Sequence, residues 1–171
     1  MISFINLCDI IFLIGDDYMR KYYNDELYMD IVNDILNHNE FQNLKKYKHH
    51  GMNRLTHATN VSYRSYRIIK FLRLDYEAAA RGGLLHDFFF VNNQEIKLSK
   101  RIQVLFKHPI YAYDNSKKYF KISKVEKNII ISHMFPFGLS APIYPESLIV
   151  NLVDDILSVY ERVYWVLKKT I

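Results

Sequence analysis

A histidine joined directly to an aspartate, His86-Asp87, follows a run of alanine and glycine that begins at Ala78. Imidazole and carboxylate groups bind divalent metal ions, and small residues let helices pack closely enough to bury such a site. The dipeptide alone is a weak signal, because the same pair also arises by chance. It gains meaning only from the other metal-binding residue types in the chain.

More histidines and an aspartate recur at intervals of about 21 to 29 residues, which is roughly one helix plus a turn. They are His57, His108, His133 and Asp154. Successive helices of a bundle could therefore each direct one side chain to a common point. Together with the His-Asp pair these residues number six, and we expect four of them to hold one divalent ion: His57, His86, Asp87 and Asp154.

Asp87 offers two oxygens, so it could also reach a second ion held by His108 and His133. Imidazole with carboxylate suits Fe, Mn, Co, Ni or Zn, so the ligand types do not select the metal. Two ions about 3.5–4 Å apart can activate a water molecule and neutralise phosphate oxygens. The expected chemistry is hydrolysis of a phosphoester or phosphoanhydride bond, with His86 and Asp87 as the catalytic residues.

Asp155 competes with Asp154 for the metal-binding role. Adjacent helix positions point about 100° apart, so only one of the two can face the site. Asp154 aligns with Val150 and Leu157 on the apolar face. We therefore expect Asp154 to point inward.

The elements that carry these residues are predicted to be helices. Apolar residues at three- and four-residue spacings indicate a helix over residues 25–38, a short one over 40–47 and another over about 55–73. Asp75 is the expected N-cap of the helix that ends at His86-Asp87. Strand signals are few, so the predicted fold class is all-α.

Three further helices follow. Pro109 suits the first turn of a helix that runs to Phe120, which puts His108 in the turn before it. Ser123 and Glu126 form a capping box for the helix that leads to His133. Pro145 opens the last helix, predicted to end near residue 168.

Length and composition are those of one domain. The 171 residues are 50% hydrophobic, and no linker or repeat divides them. We describe the chain as one unit over residues 1–171, with N-terminal helices over 1–48 and a motif-bearing core over 50–162. The net charge of +5 suits anionic partners but is also compatible with an ordinary surface. A single cysteine, Cys8, excludes an internal disulfide and is typical of the reducing cytoplasm.

The apolar stretch over residues 1–14 contains Asn6 and Asp9 and falls short of the roughly 20 residues that span a bilayer. We expect a core or interface helix here and no membrane segment. Because its apolar surface could also cover a second subunit, a homodimer stays an open alternative.

Over about residues 50–162 the chain resembles the HD-domain superfamily of metal-dependent phosphohydrolases. The resemblance is carried by five stretches in order: Arg54-Leu55-Thr56-His57, Gly83-Leu84-Leu85-His86-Asp87, Lys107-His108-Pro109, Ile131-Ser132-His133-Met134 and Asn151-Leu152-Val153-Asp154. It implies a single-domain HD-type helical bundle with two metal ions. The chain is similar in particular to the branch that contains bacterial diadenosine tetraphosphate hydrolases and small unassigned HD proteins of Gram-positive bacteria.

Other branches fit less well. Phe88-Phe89 follows the His-Asp pair where cyclic-di-GMP phosphodiesterases have Ile-Gly-Lys, and the Glu-Asp pair of ppGpp hydrolases is not visible. Because a fold does not dictate its substrate, the resemblance implies only a small phosphorylated substrate, expected to be a nucleotide.

Three arginines are candidate phosphate contacts, because a guanidinium group can bind an oxyanion through two hydrogen bonds. They are Arg54, Arg64 and Arg81. For each of them a structural salt bridge or a solvated helix face is an open alternative.

Two other functions also stay open. The protein could be a non-catalytic HD module that binds a nucleotide or metal as a sensor. The lysines at 45, 46, 48, 117 and 118 could indicate a nucleic-acid-binding domain. Such short clusters are usually solvated surface, so nucleic acid is not the expected partner.

Overall fold

A computed structural model of the protein describes residues 22–49, 52–90, 98–138 and 140–170. Over these ranges the chain forms a single all-α domain, which confirms the predicted fold class. The described helices are α1 (Glu26–Leu36), α2 (Asn39–Gln42), α3 (Arg54–Phe71), α4 (Tyr76–Leu85), α5 (Leu98–Tyr119), α6 (Lys124–Ser132) and α7 (Pro145–Thr170). The predicted core or interface helix over 1–14 lies outside the described residues.

Shorter elements connect the first helices. Turns of 3-10 helix cover Tyr22–Asn24 and Asn43–Lys46. The strands β1 (Lys48–His49) and β2 (Met52–Asn53) pair antiparallel just before α3. They are too short to alter the helical character of the fold.

Local capping explains where several helices begin. The side chain of Asp75 accepts a hydrogen bond from the backbone N–H of Ala78 at 2.9 Å, as predicted. The predicted capping box at the start of α6 is also confirmed, with Ser123 and Glu126 each bonding the other's backbone N–H. These short-range bonds set the ends of the helices that carry the candidate ligands.

Helix α4 is the central element and packs against α1, α3, α6 and α7. A Cβ atom added at Gly83 would lie 2.8 Å from the Cα of Ser62 on α3, so only glycine permits this approach. Ser62 in turn donates a hydrogen bond to the carbonyl of Ala80 at 2.6 Å. As a result, the C-terminal end of α4 is enclosed by other helices, and His86 and Asp87 are buried there.

The prediction that Pro109 begins a helix is wrong, because Pro109 lies inside the 22-residue helix α5. A proline in a helix interior removes one backbone hydrogen bond, the one its missing N–H would donate to the carbonyl four residues earlier. That carbonyl belongs to Leu105, and it accepts a hydrogen bond from Nδ1 of His108 at 2.9 Å. The helix therefore continues through Pro109, and His108 lies within it rather than in a preceding turn.

Candidate metal centre

Two groups of buried histidine and aspartate side chains lie at the end of α4. Within each group, one potential ligand atom per residue lies within 4.8 Å of the others. The first group is His57, His86 and Asp154, and the second is Asp87, His108 and His133. These are the six residues that the sequence predicts as metal ligands, and each is at most 7% exposed.

Five separate parts of the fold supply the six side chains. His57 lies in the first half of α3, His108 in the middle of α5 and Asp154 in α7. His86 and His133 are the C-cap residues of α4 and α6. Because Asp87 directly follows His86, this dipeptide joins the two groups into one site.

In the first group, Oδ1 of Asp154 lies 2.9 Å from Nε2 of His57 and 3.7 Å from Nε2 of His86. The Nε2 atom of His86 is buried and has no hydrogen-bond partner. A buried polar atom without a partner is costly unless something binds it. A metal ion is a suitable partner for that nitrogen.

In the second group, Oδ1 of Asp87 lies 3.4 Å from Nε2 of His108 and 3.7 Å from Nε2 of His133. The two histidine Nε2 atoms are 2.8 Å apart. The structure thus groups Asp87 with the second pair of histidines, which is one of its two expected roles. That Asp87 also binds the ion of the first group stays a prediction.

Three of the four histidines are oriented in the same way, through Nδ1 and a backbone carbonyl three residues earlier. The acceptors are Gly83 for His86 at 2.7 Å, Leu105 for His108 at 2.9 Å and Ile130 for His133 at 2.8 Å. A carbonyl oxygen only accepts, so each Nδ1 carries a proton. In the neutral ring, Nε2 then presents a lone pair to the site.

This arrangement creates a conflict that a cation would resolve. Burial lowers the pKa of His108. Burial and the neighbouring His108 and His86 lower the pKa of His133 to about 3. Both rings are then neutral, so two Nε2 lone pairs face each other without a proton between them. A metal ion bound by both nitrogens turns this repulsion into coordination, and the residues of the site therefore fit a metal ion.

His57 is oriented by a carboxylate that the sequence analysis missed. Its Nδ1 donates to Oε2 of Glu161 at 2.8 Å, and Glu161 is 2% exposed. Burial alone would lower the pKa of His57, but the hydrogen bonds to Asp154 and Glu161 outweigh it and raise the pKa to about 10. Asp154 and Glu161 lie seven residues apart, two helical turns, so their shared face on α7 was a signal available in the sequence.

The two adjacent aspartates of α7 differ as the helix geometry requires. Asp154 is 7% exposed and belongs to the first group, whereas Asp155 is exposed. Burial raises the pKa of Asp154, but the neighbouring His86 and His57 rings and a hydrogen bond from His57 outweigh it and lower that pKa. Asp154 is therefore a carboxylate acceptor at neutral pH.

Arg54 is the predicted phosphate contact that lies nearest the candidate ligands. Its Nε is 3.7 Å from Oδ2 of Asp87, and its Nη1 donates to the carbonyl of Phe89 at 2.6 Å. Its guanidinium carbon lies 3.8 Å from the centroid of the Phe89 ring. Arg54 is 1% exposed, and its Nε has no hydrogen-bond partner. It therefore holds positive charge beside Asp87.

The other two arginines differ from Arg54. Arg81 donates to Glu126 at 2.9 Å, to Asp34 at 2.7 Å and to the carbonyl of Ile31 at 3.0 Å. These contacts tie α4 to α6 and α1, which is a structural use of its guanidinium. Arg64 is buried in α3, and a phosphate contact there stays a prediction.

A second residue that the sequence analysis missed is Asn151, 3% exposed in α7. Its amide donates to the carbonyl of His133 and, at 3.2 Å, to that of Phe135. These bonds hold the turn after α6 against α7. Asn151 lies one turn before Asp154, so α7 contributes one ligand and fixes the backbone of another.

Comparison of the chain with protein-family models, with curated proteins and with solved structures found no match. The resemblance to the HD-domain superfamily therefore stays a prediction from the motifs. Among the described residues, no helix is both long and apolar enough to cross a membrane.

Proposed function

We propose that the protein is a metal-dependent phosphohydrolase of the HD-domain type that cleaves a phosphoester or phosphoanhydride bond in a nucleotide. The observation that supports this proposal is the pair of buried three-residue groups that meet at His86-Asp87. Each group offers both imidazole and carboxylate donors, which suits Fe, Mn or another divalent transition metal. A cytoplasmic location is part of the same proposal.

Each group would hold one ion: His57, His86 and Asp154 the first, and Asp87, His108 and His133 the second. When bound, such ions supply a nucleophile at neutral pH and neutralise negative charge on phosphate oxygens. The chain's own part is to fix the nitrogen donors through their Nδ1 bonds. Asp87 directs one oxygen to His108 and His133 and the other toward Arg54.

Charge supports an anionic substrate. Two divalent ions contribute four positive charges and Arg54 one, against the three carboxylates Asp87, Asp154 and Glu161. The loaded site would therefore be positive in a poorly solvated environment, which attracts and orients a phosphate group. The predicted phosphate contact of Arg54 fits this balance.

Aromatic side chains beside the ligands support a nucleotide in particular. Phe135 and Phe137 follow His133 and are 40% and 73% exposed. Exposed aromatic faces next to a phosphate site can stack on a nucleobase.

The test is a screen of the protein loaded with Mn²⁺ or Fe²⁺ against nucleoside mono-, di- and triphosphates, dinucleoside polyphosphates and cyclic nucleotides. We expect product release from at least one class. Asp87→Asn should lower turnover at least about 100-fold, because it removes a charged metal ligand. Both the geometry of the second group and the His86-Asp87 motif indicate that role for Asp87. Asp155→Asn is the matched control on an exposed aspartate and should retain parent activity.

The low exposure of all six ligands, at most 7%, favours one alternative, a sensor that binds a metal ion without turnover. Such a sensor would bind Mn²⁺ in a calorimetric titration and release no product from any substrate in the screen. That result with fully metal-loaded protein would overturn the phosphohydrolase proposal.

A further inference from the structure

Pro109 occupies an unusual position. The chain has four prolines, and Pro109 is the one that a described helix carries in its interior. Pro145 is the first residue of α7, where a proline loses no helical hydrogen bond. Pro109 does lose one, it is buried, and it directly follows the candidate ligand His108. A helix interior normally excludes proline, so its presence here calls for a compensating gain.

The compensation lies in the carbonyl that Pro109 leaves without a backbone donor. In an uninterrupted helix, the N–H of residue 109 would donate to the carbonyl of Leu105. Proline has no N–H, and Nδ1 of His108 donates to that carbonyl at 2.9 Å instead. The side chain thus takes the acceptor that the backbone cannot use.

His86 and His133 also donate to a free backbone carbonyl, but for a different reason. They are the C-cap residues of α4 and α6, and their Nδ1 atoms bond the carbonyls of Gly83 and Ile130. Those carbonyls fall within the last turn of each helix, where the helix supplies no donor. His108 has no helix end nearby, since α5 continues to Tyr119.

We propose that Pro109 is a positioning residue for the metal centre, because it creates inside α5 the free carbonyl that helix ends provide for the other histidines. With Nδ1 committed to Leu105, His108 directs Nε2 to His133 at 2.8 Å and to Asp87 at 3.4 Å. Without that commitment the neutral ring can move its proton to Nε2, and Nε2 then has no lone pair to offer a metal ion in the site. This inference rests on the proposed metal centre.

Pro109→Ala tests the inference, because it restores an N–H at residue 109 that competes for the Leu105 carbonyl. We expect the metal-free variant to unfold at a higher temperature than the parent, since a helix-interior proline has been removed. We expect the dissociation constant of the second ion to rise about 10- to 100-fold, as is typical when the partner of a metal-bound histidine is lost. The first ion should bind with parent affinity.

The opposite signs of these two effects separate positioning from a purely structural role. A structural proline would change thermal stability and leave both metal affinities unaltered. Pro145→Ala is the matched control and should change neither affinity. His108→Ala provides the reference for complete loss of the second ion.

A measurement on metal-free protein keeps this inference distinct from the proposed function. Long-range ¹H–¹⁵N NMR correlations report which nitrogen of His108 carries the proton. We expect a single Nδ1–H tautomer in the parent and a mixture in Pro109→Ala. If the Leu105 carbonyl accepts both hydrogen bonds, the tautomer and the second affinity stay unchanged in the variant, and the inference is overturned. If the parent binds no second ion but the tautomer shifts as expected in Pro109→Ala, the proposed second metal site is refuted. The orienting effect of Pro109 on His108 is then still supported.

Discussion

Glu161 orients His57 by accepting a buried hydrogen bond of 2.8 Å from its Nδ1. Loss of this bond should lower the affinity of the site for the first ion, the one assigned to His57, His86 and Asp154. A bond to a charged acceptor contributes about 1.5–3 kcal/mol, against about 0.5–1.5 kcal/mol for a neutral one. Glu161→Gln can keep the bond but removes the charge, so we expect a loss of about 1–1.5 kcal/mol, or roughly tenfold in affinity. Glu161→Ala removes both and should approach the upper end of the usual 10- to 100-fold range for such partners.

A competition titration against a chromophoric chelator of known affinity measures this loss for each ion separately. The second ion should keep its parent affinity in both variants, because its ligands do not contact Glu161. Asp155→Asn removes an exposed carboxylate from the same helix and controls for the change in net charge. If Glu161→Ala bound the first ion as tightly as the parent protein does, this would refute the inference that the Glu161 carboxylate positions His57.

Three further outcomes are expected. Gly83→Ala forces a Cβ against the Ser62 backbone at 2.8 Å and should cost about 1–3 kcal/mol in urea unfolding. Gly82→Ala meets three side-chain atoms of Ile129 at 2.9–3.0 Å, including its backbone-fixed Cβ, and should cost a similar amount. Metal-free protein should lose stability as pH rises from about 6.5 toward 10, because the folded pKa of His57 is about 10 and the bound proton stabilises only the folded state. Urea unfolding at both pH values measures this slope, which His57→Gln should flatten. Arg81→Met should lower the unfolding free energy by about 3 kcal/mol by leaving a buried carboxylate without its partner, yet retain the parent metal content.

Local patterns explain why much of the fold could be predicted. The caps at Asp75 and Ser123 depend on hydrogen bonds between residues three apart, which a sequence displays directly. The six candidate ligands could also be selected, because a His-Asp pair and further histidines at helix-length intervals match a bundle in which each helix directs one ligand inward. The packing of α4 then brings together side chains whose types and order the sequence already contains.

Longer-range interactions could not be read in the same way. Glu161 and His57 are 104 residues apart, and no local rule pairs them. Arg81 was a candidate for phosphate because nothing nearby in sequence indicates its partners, which lie 47 and 45 residues away. Pro109 was predicted to begin a helix because propensity rules consider only the backbone. The side chain of His108 replaces the missing donor, so the rule fails at a residue of the site.

The most direct test of a two-ion centre is elemental analysis of purified protein after loading and removal of free metal. We expect two ions per chain in the parent and one in His108→Ala/His133→Ala, with the first group of His57, His86 and Asp154 still occupied. His38→Ala, which alters a histidine outside both groups, should retain two. One ion in both the parent and the double variant would contradict the account and leave His108 and His133 without a metal-binding role.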